Sequence, residues 1–376
     1  MSAAPAVSRR SKLTKSFAAP LVALGVALAV TSLALLAGGH NPLVAYGKML
    51  KYGWSLDSFI VAINQSLPLI VSALAVTIGF KMSLFNIGVE GQYRLAALVA
   101  AAVGANIAGP GWFKIIITVM VAIIVGAAFA SIAGVLKATR NVNEVVGTIM
   151  LNGIAFSIIA TLLHWDLIAA IHGSFLSTNK YPENAWFPSW TIRVGTTELY
   201  LWVIPVMLLA VGFHYLVTRS RFGYDLRATG MNPSAARTSG VNPKRMILIT
   251  MAISGGLAGL VGMSMLLNQY HTYTQDFPQQ LGFAGIAVAL VGRQKAGGIV
   301  ITAFLFAMIA RMSQVLPDPP LFAPKEIGPI IQGTMMLSAV VAYSVVQRRS
   351  EATSIREAAE ATHAAHLAKL AEEVTA

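Results

Sequence analysis

WFKIIITVMVAIIVGAAFASIAGVL, residues 112–136, holds one charged side chain, Lys114, and is followed at once by Lys137 and Arg140. An α-helix needs about 20 apolar residues, rising 1.5 Å each, to cross roughly 30 Å of hydrocarbon. This run therefore predicts a membrane-crossing helix that ends at a basic loop. Working outward, nine further apolar segments can be drawn, at 18–38, 59–80, 92–109, 144–165, 199–217, 246–268, 281–292, 296–316 and 327–347. The chain reads as an all-α membrane protein with about ten transmembrane segments. A basic segment precedes the first run, whose apolar core exceeds the roughly 7–15 residues of a signal peptide; an uncleaved first helix is expected.

Composition agrees. The 376 residues are 56% hydrophobic and 11% charged, against roughly 25% charged in soluble domains. With no cysteine, disulfides and thiolate chemistry are excluded. The net charge of +12 does not call for nucleic acid, because the basic residues sit in loops that flank apolar runs. If the N-terminus is cytoplasmic, 20 Lys and Arg fall on the inside (Lys81 and Arg94 counted as loop residues) and 6 on the outside, with Arg311 left in a span. That asymmetry places both termini in the cytoplasm. It gives a cytoplasmic segment 1–17, a transmembrane domain 18–347 and a cytoplasmic helical tail 348–376.

Two segments depart from a plain span. Residues 282–292, GFAGIAVALVG, are too short for a regular crossing and suggest a broken or re-entrant helix near 281–292. Residues 85–92, FNIGVEGQ, open the third segment with Asn86, Glu90 and Gln92. These three, with Asn152 and Ala287, are candidates for lining a translocation pathway; the alternative is that the glycines here only let helices pack closely. The match of Gly147–Leu151 (GTIML) with Gly333–Leu337 (GTMML), five segments apart, has the pattern of an inverted five-helix repeat. The outer stretch 166–198, rich in Trp and Pro, reads as an interfacial anchor or a cap, and His271 and Asp276 read as solvated loop residues.

Enzyme motifs are missing: there is no GxxxxGK[ST], HExxH or GxSxG. Carboxylates in the middle of spans, which an ion-coupled transporter often needs, are also not evident. The longest inside loop, residues 218–245, is the sharpest signal. Asn232 can cap a short helix there, Pro233 suits its first turn, Ala235 and Ala236 give it a slim face, and Gly240 stops it. Asp225, Arg227 and Arg237 could pair with a partner.

The segment from Ser234 to Gly240 resembles the EAAxxxG loop of ABC importer permeases, with Ser in the Glu position. LFNIGVEGQ (84–92), NEVVGTIMLN (143–152), FGYDLRATGMNPSAARTSGVN (222–242), MAISGGLAGLVG (251–262) and GFAGIAVALVG (282–292) are similar, in order, to the permease subunits of bacterial ABC importers for nucleosides and simple sugars, relatives of branched-chain amino-acid permeases. The first two lie nearer the nucleoside branch than the ribose branch. The resemblance implies a half-transporter in the bacterial plasma membrane that is not itself an enzyme. Its partners would be two cytoplasmic ATPases carrying ATP and Mg and docking on 222–242, a second permease, identical or homologous, and an extracytoplasmic solute-binding lipoprotein. No cofactor or metal is implied in this chain. A secondary transporter or channel, and a membrane enzyme or scaffold, are the competing classes.

Overall fold

The computed structural model describes residues 25–166, 168–172, 175–193, 197–338 and 341. The expected segments 1–17 and 348–376 lie outside the described residues, as does the start of the first apolar run. The chain divides into two compact units, residues 40–328 and the two chain ends, 1–39 with 329–376. In the end unit, α1 (Gly25–Ala37) is the described part of the first apolar run and residues 329–338 are helical.

The larger unit begins with α2 (Pro42–Gly53), α3 (Leu56–Phe80), α4 (Val89–Asn106), α5 (Gly111–Arg140) and α6 (Glu144–Leu163). Two β-hairpins follow, pairing β1 (Ala169–His172) with β2 (Phe175–Thr178) and β3 (Ser189–Arg193) with β4 (Thr197–Tyr200), both antiparallel. Then come α7 (Val203–Arg219), α8 (Arg221–Met231), α9 (Pro233–Thr238) and α10 (Pro243–Gly259). A single turn, α11 (Met263–Met265), and a π-helical turn (Leu266–Tyr270) extend α10. The unit closes with α12 (Leu281–Val291) and α13 (Ala296–Ser313).

Among the described residues, five helices are long and apolar enough to cross a membrane: α3, α5, α6, the run Pro243–Tyr270 and α13. The number rises to seven if two helix pairs with short breaks are each one span. The hairpins depart from the all-helical expectation; they run from Ala169 to Tyr200, through most of the 166–198 stretch and into the first residues of the expected 199–217 segment. The amphipathic α2, carrying Lys48 and Lys51, was not among the ten apolar segments because its charges interrupt the run. Arg94, expected in a loop, lies in the second turn of α4 and is nine-tenths buried; helix start signals around Gly88 were hidden by the glycines of FNIGVEGQ.

α3 is the hub, with α10, α12 and α13 packed on it. Between helices in lipid there is little hydrophobic drive, so close backbone approach and interhelical hydrogen bonds hold them. The α5–α10 contact shows this. A Cβ on Gly126 would sit 2.2 Å from the Gly255 carbonyl, and one on Gly259 would sit 2.0 Å from the Ala122 carbonyl. The hairpin region is tied into the bundle by Tyr181, whose buried hydroxyl donates to the Ala100 carbonyl (2.9 Å) and lies 2.9 Å from the Thr118 hydroxyl. His271, expected to be solvated, is buried and stacks on Trp186 at 3.8 Å between ring centroids. By contrast α5 and α6 present a broad apolar surface, including Ile116, Met120, Ile124, Met150 and Ile154.

Candidate functional site

Two regions gather the candidate residues, and they sit at different levels of the bundle. α12 has 11 residues and rises at most about 16 Å, near half the hydrocarbon thickness. Lys295, just past its far end, lines a cavity together with Lys81 and with Arg227 of α8.

At the start of α12, Glu90 of α4 serves as the cap. Its carboxylate accepts from the backbone N–H of Gln280 (2.7 Å) and of Gly282 (2.9 Å), and from the Tyr93 hydroxyl (3.1 Å). Gln280, preceding the helix, is in the left-handed region (φ 67°) and supplies no side-chain cap, so the acid from 190 residues away takes that role. A helix start packed against the bundle leaves N–H groups that must be paired, and a carboxylate also suits the positive end of the helix dipole. Gly282 lets α12 sit against the Glu90 backbone, and Gly285 lets it cross α3 at Ser72, whose hydroxyl donates to the Leu281 carbonyl (2.9 Å).

The neighbouring candidates join the same junction. The Asn86 side-chain amide donates to Gln92 Oε1 (2.9 Å) and to the Ser254 hydroxyl (2.9 Å), and its oxygen accepts from Gln92 Nε2 (3.0 Å). Ser254 in turn donates to the Ala75 carbonyl (2.6 Å). Asn152 of α6 accepts from Gly91 N–H (2.9 Å) and donates to the Ile87 carbonyl (3.1 Å). Asn86, Glu90, Gln92 and Asn152 thus stitch α4 to α6, α10 and α12, all nearly buried. Ala287, buried on α12, lies apart from these hydrogen bonds. Ser72, Tyr93 and Ser254 were missed by sequence reasoning, because nothing local marks a partner in another helix.

The second region is the α8–α9 loop. Ser220 caps α8 by accepting from Gly223 N–H (3.0 Å). Asn232 caps α9 by accepting from Ser234 N–H (3.0 Å) and Ala235 N–H (3.1 Å), with Pro233 in the first turn. The helix ends where Gly240 takes φ 84° and Val241 N–H reaches back to the Ala236 carbonyl (3.0 Å). Ala236 is buried, while Pro233, Ser234, Ala235, Arg237 and Gly240 face outward. Asp225 and Arg227 lie on α8, where Arg227 donates to the Val217 carbonyl at the end of α7.

α8 is fastened to the turn after α3. A Cβ on Gly230 would come within 2.7 Å of the Lys81 carbonyl, and Ser83 donates to the Gly230 carbonyl at 3.0 Å. Lys81 is half-buried there; burial lowers its pKa, and the neighbouring Arg227 and Lys295 cations lower it further. The turn 81–88 runs directly into Glu90. Among the described residues, no group of three or more His, Cys, Asp or Glu could hold a metal ion.

The family described as branched-chain amino acid transport system / permease component matches residues 58–340, and the chain belongs to it. It is therefore a multi-pass membrane transport component. Among its relatives, the guanosine ABC transporter permease protein NupP of Bacillus subtilis (strain 168) is 31% identical over 335 residues, 87% of this chain and 93% of that protein. The nucleoside ABC transporter permease protein NupB of Lactococcus lactis subsp. cremoris (strain MG1363) is 27% identical, covering 93% and 97%. The glucose ABC transporter permease protein TsgB13 of Haloferax volcanii is 27% identical, covering 78% and 79%.

Proposed function

We propose that this chain forms the translocation pathway of an ATP-driven importer of nucleosides. On this reading the basic loops and both termini face the cytoplasm, and the hairpins face outward. About ten crossings and an inverted five-helix repeat are part of the same reading. The observation that carries it is α9: a capped helix with an outward slim face, set beside full-length similarity to two nucleoside permeases. Two ATPases bearing ATP and Mg would dock on 222–242, contacting Asp225, Arg227, Asn232, Pro233, Ala235 and Gly240; Ala236, expected on the slim outer face, is buried and seats α9 on the bundle instead. A second permease, identical or homologous, would complete the pathway, and the apolar faces of α5 and α6 offer it a surface. A solute-binding lipoprotein would deliver to the hairpin side.

The mechanism follows the contacts. ATP-driven closure of the ATPases moves α9 and α8. Ser83 and Gly230 pass that movement to the 81–88 turn, and Glu90 passes it to the start of α12. Contiguity makes this route physically available. A simple-sugar solute is the second reading, favoured by the similarity to the glucose permease.

Uptake of radiolabelled nucleosides and pentoses separates the two, in cells with and without this gene and with the partner ATPase intact. Deletion should abolish nucleoside uptake and leave ribose uptake unchanged. Loss of sugar uptake alone would move the protein to the sugar branch.

A further inference from the structure

Beside the Glu90 cap is a cation whose field reaches Glu90 and whose guanidinium also meets the Tyr273 hydroxyl, yet which keeps an unpaired donor. Arg94 lies one helical turn along α4 from Glu90, is nine-tenths buried, and its Nε has no hydrogen-bond partner. No carboxylate among the described residues lies within 4.0 Å of it. An ionisable group at membrane depth is expensive and is usually retained for a pathway or a ligand. Its guanidinium lies 5.1 Å from the centroid of the Phe156 ring on α6, and both residues line a cavity of about 200 Å3 together with His164, Gln275 and Gln279.

The glutamines carry an independent signal. Residues 275–280 descend from the hairpin side to the start of α12, and Gln275 and Gln279 are exposed. Non-helical backbone with exposed amides at membrane depth is tolerated where it lines a water-filled cavity or meets protein. The volume falls short of the roughly 300–1,000 Å3 of a complete small-molecule site. Both points fit half of a site completed by a second permease.

We infer that Arg94, Phe156, Gln275 and Gln279 form the subunit's own solute half-site, taking the base of a nucleoside with two adjacent hydrogen-bond acceptors, as on a 6-oxopurine. This rests on the nucleoside reading above. A guanidinium presents paired donors that match O6 and N7 of such a base, whereas adenine places an amino donor at the same edge. Phe156 offers the base an aromatic face, and the glutamine amides can donate or accept at the remaining edge or the ribose hydroxyls.

The test uses the whole transporter, with delivery protein and ATPases held constant so that selection at delivery cancels between variants. Arg94→Gln should lower guanosine and inosine import about tenfold or more relative to wild type while changing adenosine import less than about threefold. Gln279→Ala, at an exposed position, should lower guanosine import severalfold with no change in the melting temperature of the complex. In this cysteine-free chain, Gln279→Cys should react with a water-soluble maleimide, and guanosine should slow that reaction more than adenosine does. Equal losses for every nucleoside, or unchanged import in both Arg94→Gln and Gln279→Ala, would overturn the half-site. A wild-type transporter that moves no nucleoside at all would instead defeat the functional reading, and this inference with it.

Discussion

α9 and α12 are both short helices, and they are started in opposite ways. α9 is capped by Asn232, its own neighbour in sequence, and points its small-residue face to solvent. α12 is capped by Glu90, from the opposite half of the chain, and begins inside the bundle. A helix that must be gripped by another protein can carry its own start and stop. A helix whose first turn is packed against the bundle has its free N–H groups met by a partner built into the fold. The contrast predicts that damage to α12's cap weakens the permease itself, whereas damage to α9 spares the permease and weakens its link to ATP.

The largest effect is expected at Glu90. Glu90→Ala strands the N–H groups of Gln280 and Gly282, while the Tyr93 hydroxyl keeps its bond to the Pro278 carbonyl (2.7 Å). At about 1–3 kcal/mol per stranded group, partly offset by entering water, the loss should be on the order of 3 kcal/mol. It should appear as a clear drop in melting temperature of the purified subunit, with Glu90→Gln in between because one acceptor oxygen survives. A melting temperature unchanged in Glu90→Ala would mean that α12 is held by packing against α3 alone.

That asymmetry also explains what the amino-acid sequence made legible. Five of the ten expected spans, at 59–80, 112–136, 144–165, 246–268 and 296–316, were readable because an apolar run is a local property, and so was α9, whose cap, first-turn proline and terminal glycine lie within nine residues, 232–240. The role of Glu90 was not. It stands beside glycines near a predicted span end, and its partners at Gln280 and Gly282 leave no mark in its own neighbourhood. Arg94 was misplaced for the same reason, since a basic residue near a boundary reads as a loop residue until burial is known. The hairpins escaped because four- and five-residue strands such as Ala169–His172 carry too little pattern to stand out in a Trp- and Pro-rich stretch.

Asn152 gives a smaller and sharper test of the junction. Its amide serves two backbone groups of the 87–91 turn, Gly91 N–H and the Ile87 carbonyl. Interhelical hydrogen bonds of this type are worth roughly 1 kcal/mol in membranes. Asn152→Ala should therefore lower the melting temperature by less than half of the Glu90→Ala effect. Because Glu90 and Asn152 brace the same turn from two sides, the double variant should fall short of, or exceed, the sum of the singles. Strict additivity would indicate that the α6 and α12 contacts are independent, and that the junction does not act as one unit.

The smallest effect on stability, and the largest on function, is expected at Gly240. Its φ of 84° is a region that side-chain-bearing residues avoid, although no atom lies within 4 Å of where a Cβ would stand. Gly240→Val is thus opposed by backbone strain of about 1–3 kcal/mol and not by collision. The strain is confined to the end of an exposed helix, so the chain can relieve it by unwinding α9's last turn while the spans stay packed. The melting temperature of the isolated subunit should hardly move. In the assembled transporter, ATP hydrolysis should continue while nucleoside uptake falls, because the outward face of α9 no longer meets its partner in a fixed geometry. Gly240→Ala, less strained than the β-branched residue, should retain more uptake. Full uptake in Gly240→Val would show that the ATPases grip some other part of the 218–245 loop, and the contrast between the self-capped helix and the partner-capped one would then lose its functional meaning.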